Sequence, residues 1–342
     1  MYQEDLKLIA RSAVVVLATL ALMTVPSARP EANAASQQID DERYYTLVAR
    51  DGDPDTLIAH MGLTMPDPYR ELLFWNPQLH NVYDLRVGQR LRRPGIGERP
   101  AFPSFDGDFS RWRVIASHTT RFEGSPPYRT HNIVNAANAV NNFFDDSRHP
   151  YISPRDSLSL NWLLGDISLA SGYVWGHAIL VVDGVATDIP ALGGGICQLP
   201  STIFPAALNA GLDITGRTNH AYFPYFWWNY AEGFGIDATV GPPDGADLVI
   251  RNLYDYPVRL FMRADVEAQT LRAEVYAPPE LVPYPTEIDG PYLYANGEFI
   301  AAADAGWVWW AATTVVSQKT YVDGGLWDRA FWSHYLKDPY FN

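Results

Sequence analysis

Residues 191–204 read ALGGGICQLPSTIF and place a run of glycines directly before a helical pattern. Gly193, Gly194 and Gly195 permit backbone angles that other residues cannot adopt, and they leave room for a substrate to approach the main chain. Cys197 follows them and is the only cysteine among the 342 residues. The stretch therefore predicts a tight glycine turn that presents a single thiol.

The residues after Cys197 favour a helix. Gly211 is a common type of residue just past a helix end. The apolar residues before it recur at helical spacing, namely Leu199, Ile203, Ala206, Ala207 and Ala210. Pro200 suits a first turn, whereas Pro205 predicts a kink or a delayed start. Cys197 would then lie at or near the helix N-terminus.

A thiol at a helix N-terminus is a candidate nucleophile. The helix dipole and the unpaired N–H groups favour a thiolate, and the same N–H groups can hold a developing oxyanion. We take Gly194, Gly195 and Gln198 as the candidate backbone donors. The other interpretation stays open: Cys197 is a buried, inert cysteine behind a structural turn.

A thiolate nucleophile needs a base, and the base needs an orienting group. The segment GRTNHAYF carries His220 and the segment GFGIDATVG carries Asp237, which makes these two residues the candidates. The sequence shows no metal-ligand spacing and no H-E-x-x-H, so we expect no metal and no cofactor. A serine acyl-enzyme is disfavoured because neither S-x-x-K nor K-T-G occurs.

The wider pattern favours the α+β class. Residues 129–144 place Ile133, Ala136, Ala137, Val140 and Phe144 on one helical face. Asp183-Gly184 and Asp323-Gly324 are hairpin turn signals, and residues 246–265 and 270–278 are typical of strands. Helices and strands are mixed without a βαβ rhythm, so the sheet is not expected to be doubly wound.

The N-terminal third divides into three parts. Residues 1–35 join positive charge to a 14-residue apolar run and A-x-A-like sites, which predicts a signal peptide or, if uncleaved, a membrane anchor. Residues 44–95 predict a strand, two short helices and a second strand. Residues 96–112 are rich in glycine and proline and predict a linker. The rest is a main domain at 113–265 and a β-rich extension at 266–342.

The composition limits the class of partner. The 25 basic and 39 acidic residues give a net charge of −14, which argues against a nucleic-acid surface. Apolar residues make up 47% of the chain, enough for a packed core. A lone cysteine in an exported chain is either intermolecular or reactive.

Four segments of the main domain, in this order, resemble the VanW family: RFEGSPPYRTHNIVNAANAVNN, LGGGICQLPSTIFPAALNAGLDI, GRTNHA and DATVGPPDGADLVIRN. The family is named from vancomycin (glycopeptide) resistance clusters, and some of its members are cell-wall L,D-transpeptidases. The resemblance implies Cys197 as nucleophile, His220 as base and Asp237 as its orienting carboxylate. Residues 44–95, with YTLVARDGDPDTLIAHMGL, LLFWNPQL and LRVGQRLRRP, are similar to a LysM module, which implies binding of peptidoglycan glycan.

Together these features predict an exported, extracytoplasmic protein that is secreted or attached to the cell wall or membrane. Its expected activity is cysteine-dependent L,D-transpeptidation of peptidoglycan stem peptides through a thioester. Arg129 and Arg217 are candidate clamps for the stem carboxylate, and Trp227 and Trp228 are candidate cleft walls. The alternative is a non-catalytic peptidoglycan-binding protein concerned with wall maintenance or glycopeptide resistance. The membrane is a partner only if residues 1–35 stay attached, and the oligomeric state is not predicted.

Overall fold

The structure is a computed structural model, and it describes a defined part of the chain. The described residues are 44–48, 54–65, 68–76, 87–96, 108–182, 185–222, 235–241, 245–295, 298–300, 313–322 and 325–336. The class is α+β, with few helices, many strands and a β-rich C-terminal segment, as the sequence predicts. Within the described residues, no helix is both long enough and apolar enough to cross a membrane. The predicted signal segment at 1–35 lies outside them.

The N-terminal elements follow the predicted order of strand, helix, helix and strand. They are β1 (Tyr44–Thr46), α1 (Pro54–Met61), α2 (Pro68–Trp75) and β2 (Arg90–Arg92). β1 and β2 pair antiparallel, and Leu57, Met61, Leu72 and Leu91 form a small core of their own. The side-chain amide of Asn76 donates to the carbonyls of Leu72 and Arg92 and accepts the N–H of Arg92. That buried amide ties the end of α2 to β2, while the identity of the unit as a LysM module stays a prediction.

The main domain is built around a three-stranded antiparallel sheet in the order β3-β10-β9. Its strands are β3 (Arg113–Arg121), β9 (Arg259–Asp265) and β10 (Thr270–Ala277). Helix α3 (Pro127–Asp145) packs on β9 and buries the five predicted apolar residues of its face. The 3.6-residue period of that segment was therefore a correct guide to its core face.

The remaining elements of the domain surround the glycine turn. A second sheet has the order β4-β8-β7, and β5 pairs with β6 as a hairpin. These elements are β4 (Ser157–Ser159), α4 (Leu160–Leu164), β5 (Trp175–Val182), β6 (Val185–Leu192), α5 (Gln198–Asn209), β7 (Asp213–Arg217) and β8 (Leu248–Arg251). The pairing of Val182 with Val185 confirms the predicted hairpin.

Helix α5 is buried on every side, although the sequence pattern predicted only one apolar face. It packs against β3 and β10 on one side and contacts the C-terminal sheet on the other. A helix with apolar residues all round is stable only in such an interior position. The helix begins at Gln198 and runs unbroken through Pro205, so the predicted delay is wrong, while the alternative of a kink stays a prediction. It ends as predicted, since Gly211 has a φ of +70° and the Leu212 N–H reaches the Ala207 carbonyl at 3.1 Å.

The C-terminal segment forms a four-stranded antiparallel sheet in the order β12-β11-β13-β14. Its strands are β11 (Thr286–Ala295), β12 (Glu298–Ile300), β13 (Thr313–Val322) and β14 (Gly325–His334). The side-chain amide of Gln318 donates to the carbonyls of Leu208 and Leu212, each at 3.0 Å. Arg329 pairs with the buried Asp213 at 2.9 Å. These buried contacts join the sheet to the end of α5 and the start of β7.

Candidate active site

The backbone conformation of the turn before α5 requires glycine. Gly193 has a φ of +74° and Gly195 a φ of +102°, which confirms that these positions need glycine. A Cβ on Gly194 would lie 2.2 Å from the backbone nitrogen of His177. The turn therefore packs directly on β5, and no side chain can be accommodated at position 194.

This packing revises the idea that the glycines clear space for a substrate. Gly194 is buried against β5, and its carbonyl accepts from the Asn132 amide at 3.0 Å. The same amide exchanges two hydrogen bonds with the Val174 backbone, so one α3 side chain holds both the turn and the start of β5. Gly194 is therefore a packing residue, while the predicted role of its N–H as an oxyanion donor stays a prediction.

Cys197 caps the N-terminus of α5, as predicted. Its residue is half-buried, and the thiol donates weakly to the Val240 carbonyl over 3.5 Å. The Gln198 N–H already donates to the Gly195 carbonyl at 3.2 Å, which revises its predicted oxyanion role. None of the backbone hydrogen bonds between described residues uses the N–H groups of Gly195 and Cys197. The Cys197 N–H is thus an additional candidate donor that the sequence did not single out.

His220 and Asp237 meet as a hydrogen-bonded pair. The His220 Nδ1 lies 2.8 Å from Asp237 Oδ2, and the His220 backbone N–H donates to the same oxygen at 2.7 Å. Both side chains are buried. The Cys197 thiol is within hydrogen-bonding reach of the His220 ring. The fold therefore brings the three predicted residues together in the order thiol, imidazole and carboxylate.

Arg217 supports Asp237 from inside the domain. Its Nε donates to the Asp237 carbonyl at 2.7 Å, and its Nη2 approaches Asp237 Oδ1 at 3.4 Å. The guanidinium also donates to the Gly235 and Trp332 carbonyls and to the Ser333 hydroxyl. All three of its nitrogens donate hydrogen bonds to groups within the protein. Its predicted role as a clamp for a substrate carboxylate is therefore revised to a structural one.

Ser201 fixes the distance between the two halves of the site. Its hydroxyl lies 2.9 Å from the Cys197 carbonyl and 2.8 Å from the Ala238 carbonyl, and it accepts the Ala238 N–H at 3.1 Å. It thereby joins the first turn of α5 to the residue after Asp237. The sequence pattern did not identify Ser201, because a helical serine is ordinarily read as a surface or core position.

Arg129 lies beside the glycine turn at the start of α3. A Cβ on Gly195 would fall 2.4 Å from Arg129 Cγ, so the arginine stem fills the space over that glycine. Its guanidinium donates to the Gln198 side-chain oxygen at 2.7 Å and to the Ser125 hydroxyl at 2.5 Å. Burial lowers the pKa of Arg129 to about 10. The nearby Tyr128 and Cys197 act to raise this pKa, but by less than burial lowers it. Arg129 therefore stays a candidate for holding an anionic group near the thiol.

The remaining candidate residues are either outside the described part of the chain or paired away from Cys197. Trp227 and Trp228 lie outside the described residues, so their predicted role at a cleft wall stays a prediction. Among the other histidines, His177 pairs with Asp188 at 3.1 Å on the exposed hairpin, and His131 contacts the Gly172 carbonyl. The absence of a metal or a cofactor also stays a prediction.

The charged forms of His220 and Asp237 stabilise each other. Burial lowers the pKa of His220, but the hydrogen bonds to Asp237 and to the Cys197 thiol raise it more, to about 9 overall. Burial acts to raise the pKa of Asp237, but His220 and Arg217 outweigh it and hold that pKa below its usual value. At neutral pH the site therefore favours an imidazolium beside an ionised carboxylate.

This charge state predicts a pH-dependent stability. Because the pKa of His220 is raised from 6.5 to about 9, its stabilising contribution is complete below about pH 6.5 and disappears as the pH rises through about 9. The contribution is on the order of 3 kcal/mol. Between about pH 6.5 and about pH 9, the melting temperature of the wild type should fall more steeply with rising pH than that of His220→Gln. The exposed His177→Gln is the matched control and should melt with the wild-type slope; equal slopes for all three proteins would contradict the prediction.

The main domain is similar to known proteins. Residues 128–276 match the family model described as "VanW like protein". The chain is 28% identical over 204 residues to "Uncharacterized protein YoaR" of Bacillus subtilis (strain 168), in an alignment covering 58% of this chain. The alignment spans 60% of that curated relative. No solved structure gives a significant match. Residues 128–276, less than half of the chain, are thus similar to the VanW family and form a VanW-like domain.

Proposed function

We propose that the chain is a cell-wall protein whose VanW-like domain is a cysteine-dependent L,D-transpeptidase acting on peptidoglycan stem peptides. The single observation that carries the proposal is the buried hydrogen bond between His220 and Asp237, with the Cys197 thiol within reach of the His220 ring. A half-exposed thiol at a helix N-terminus, beside a histidine oriented by a buried carboxylate, is the arrangement that nucleophilic acyl transfer requires. The peptidoglycan substrate rests on the family likeness.

The chemistry proceeds in two steps. With the proton of the pair held on His220, Cys197 Sγ attacks the carbonyl carbon of the third stem residue as a thiolate. The C–N bond to the terminal D-amino acid breaks, and the leaving amine takes the proton from His220. A thioester remains. An amine of a neighbouring stem then attacks the thioester carbonyl, gives its proton to His220 and displaces the Cys197 thiolate, which completes the cross-link.

The geometry assigns each partner a part in these steps. Asp237 accepts the hydrogen bond of His220 Nδ1, which leaves the opposite side of the ring for the thiol and for the reacting amines. The N–H groups of Gly195 and Cys197 are the donors available for the tetrahedral oxyanion. Arg129 would neutralise a carboxylate of the donor stem close to the thiol.

Intact-mass analysis tests the proposal. The protein is incubated with purified muropeptides containing a tetrapeptide stem and, separately, with a carbapenem. We expect a covalent adduct on Cys197, located by peptide mapping, together with release of the terminal D-amino acid. A chain that forms no adduct and releases no amino acid, although it is folded, would favour the non-catalytic alternative.

The N-terminal unit supplies a separate proposal. Its strand–helix–helix–strand order favours a LysM-like module that binds the glycan strands, and this binding should not depend on the thiol. Full-length Cys197→Ala should pull down with purified peptidoglycan as the wild type does. Asn76→Ala should lose binding, because it removes the buried amide that ties α2 to β2. Equal binding by Asn76→Ala and the wild type would place the glycan contact elsewhere.

Export also belongs to this proposal. Peptidoglycan lies outside the cytoplasm, so the proposed substrate requires the apolar segment within residues 1–35 to act as a signal or an anchor. Fractionation of cells expressing the full chain, followed by N-terminal sequencing of the product, would show whether the segment directs export and where it is cleaved.

A further inference from the structure

The carboxylate of Asp237 is held from two sides. Its Oδ2 accepts both hydrogen bonds of His220, and its Oδ1 accepts the phenolic hydroxyl of Tyr335 as well as the longer contact from Arg217. The carboxylate is completely buried. A buried carboxylate whose two oxygens have different fixed donors has no freedom to rotate.

The direction of the Tyr335 hydrogen bond is determined by its surroundings. The Gly235 N–H donates to the Tyr335 hydroxyl oxygen at 3.1 Å. The single phenolic proton is therefore directed at Asp237 Oδ1. Burial raises the pKa of Tyr335 well above its ordinary value, so the hydroxyl stays a donor over the whole working range of pH.

Tyr335 comes from a part of the chain beyond the family match. It follows β14 directly and lies outside residues 128–276, yet its ring is 4% exposed. Its neighbours hold it against the loop that carries His220. The Leu336 N–H donates to the Ala221 carbonyl at 2.7 Å, and the Asn219 amide donates to the His334 carbonyl at 3.0 Å. These contacts lie on both sides of Tyr335 and of His220.

We propose that Tyr335 is a positioning residue for the acyl-transfer site, so that the C-terminal strand completes a site whose reacting groups all belong to the VanW-like domain. The proposal rests on the proposed function. The Tyr335 hydroxyl anchors Oδ1 and thereby keeps Oδ2 on His220 Nδ1. The ring then holds its other nitrogen towards Cys197, where it maintains the imidazolium beside the thiolate.

The alternative is that Tyr335 only packs the C-terminal sheet onto the domain. A packing residue would affect how much protein is folded and how accessible the thiol is. A positioning residue would affect how well the histidine stabilises the thiolate at neutral and acidic pH. The pH dependence of the thiol reaction distinguishes the two roles.

The test is the rate of Cys197 alkylation by iodoacetamide, a reaction that needs no peptidoglycan. Rates are measured at about pH 6.5, where a thiolate depends on its imidazolium partner, and at about pH 10, where a thiol ionises without one. In Tyr335→Phe the rate at the lower pH should fall about tenfold, by analogy with the loss of outer partners that orient metal-ligating histidines. The rate at the higher pH should not change.

The control is Tyr321→Phe, which removes a hydroxyl from an exposed tyrosine on β13 of the same sheet. Its two rates should equal those of the wild type. Rates are taken on the folded fraction isolated by gel filtration. The positioning role would be overturned if the ratio of the alkylation rate at about pH 6.5 to that at about pH 10 were the same in Tyr335→Phe as in the wild type, whether both rates stay unchanged or both fall by the same factor. Because alkylation uses no substrate, the positioning role can hold even if no acyl-enzyme forms, and the two failures are thus separate.

Discussion

Cys197→Ala is expected to remove all acyl-enzyme formation and all release of the terminal D-amino acid. The chain has one cysteine, so no other thiol can form the thioester. The loss should exceed about a thousandfold and leave only uncatalysed reaction, because removing the nucleophile disables a group of residues that act as a unit. The measurement is intact mass together with the rate of amino-acid release.

The fold should tolerate this change. The residue is half-buried, and its described thiol contacts, with the Val240 carbonyl and the His220 ring, are weak, so the thermal melt should stay close to that of the wild type. Cys197→Ser is a second variant that keeps the shape and a hydroxyl. The double variant Cys197→Ala/His220→Ala should be no less active than Cys197→Ala alone. An adduct that persists in Cys197→Ala would assign the nucleophile to another residue.

His220→Ala is expected to slow acylation by about a hundredfold to ten-thousandfold. The variant loses the group that takes the thiol proton and returns it to the leaving amine. It also leaves Asp237 without its principal partner in a completely buried position. The measurement is the single-turnover rate of adduct formation at several substrate concentrations, which separates the chemical step from binding.

Two further variants define the role of His220. Asp237→Asn should retain weak activity, because the histidine stays present but loses its orienting charge. His177→Gln is the matched control, since His177 also pairs with an aspartate but lies on the exposed hairpin. Near-normal acylation by His220→Ala would show that a different residue is the base.

Local sequence pattern was a sound guide wherever one element could be read by itself. The helical period of residues 129–144, the end of α5 at Gly211 and the two hairpins depend on backbone preferences within a few residues. The need for glycine at 193 and 195 is of the same kind. The delayed start predicted from Pro205 was wrong because the local cost of this proline is offset by burial of α5 on every side, which the pattern does not show.

The residues that hold the candidate site in place could not be predicted from local sequence pattern. Ser201 joins α5 to a segment 37 residues further along the chain, and Tyr335 reaches Asp237 over a separation of 98 residues. Arg217 has the residue type of a substrate clamp, but burial directs its donors inward. The packing of the main domain decides the partners of Ser201, and the packing of the C-terminal sheet on that domain decides those of Tyr335 and part of those of Arg217.

The sequence by itself determined which chemical groups this protein has: one thiol after a glycine turn, a histidine and an aspartate in segments of familiar pattern. Residue type and short spacing are local properties, and they are enough to name the candidate reacting groups. The tertiary structure alone decided how those groups are held. The Tyr335 hydroxyl, the Arg217 guanidinium and the Ser201 hydroxyl orient them through buried hydrogen bonds. Such bonds join residues distant in the chain, and their partners are selected by the folded core because a buried polar group must be satisfied wherever the packing places it.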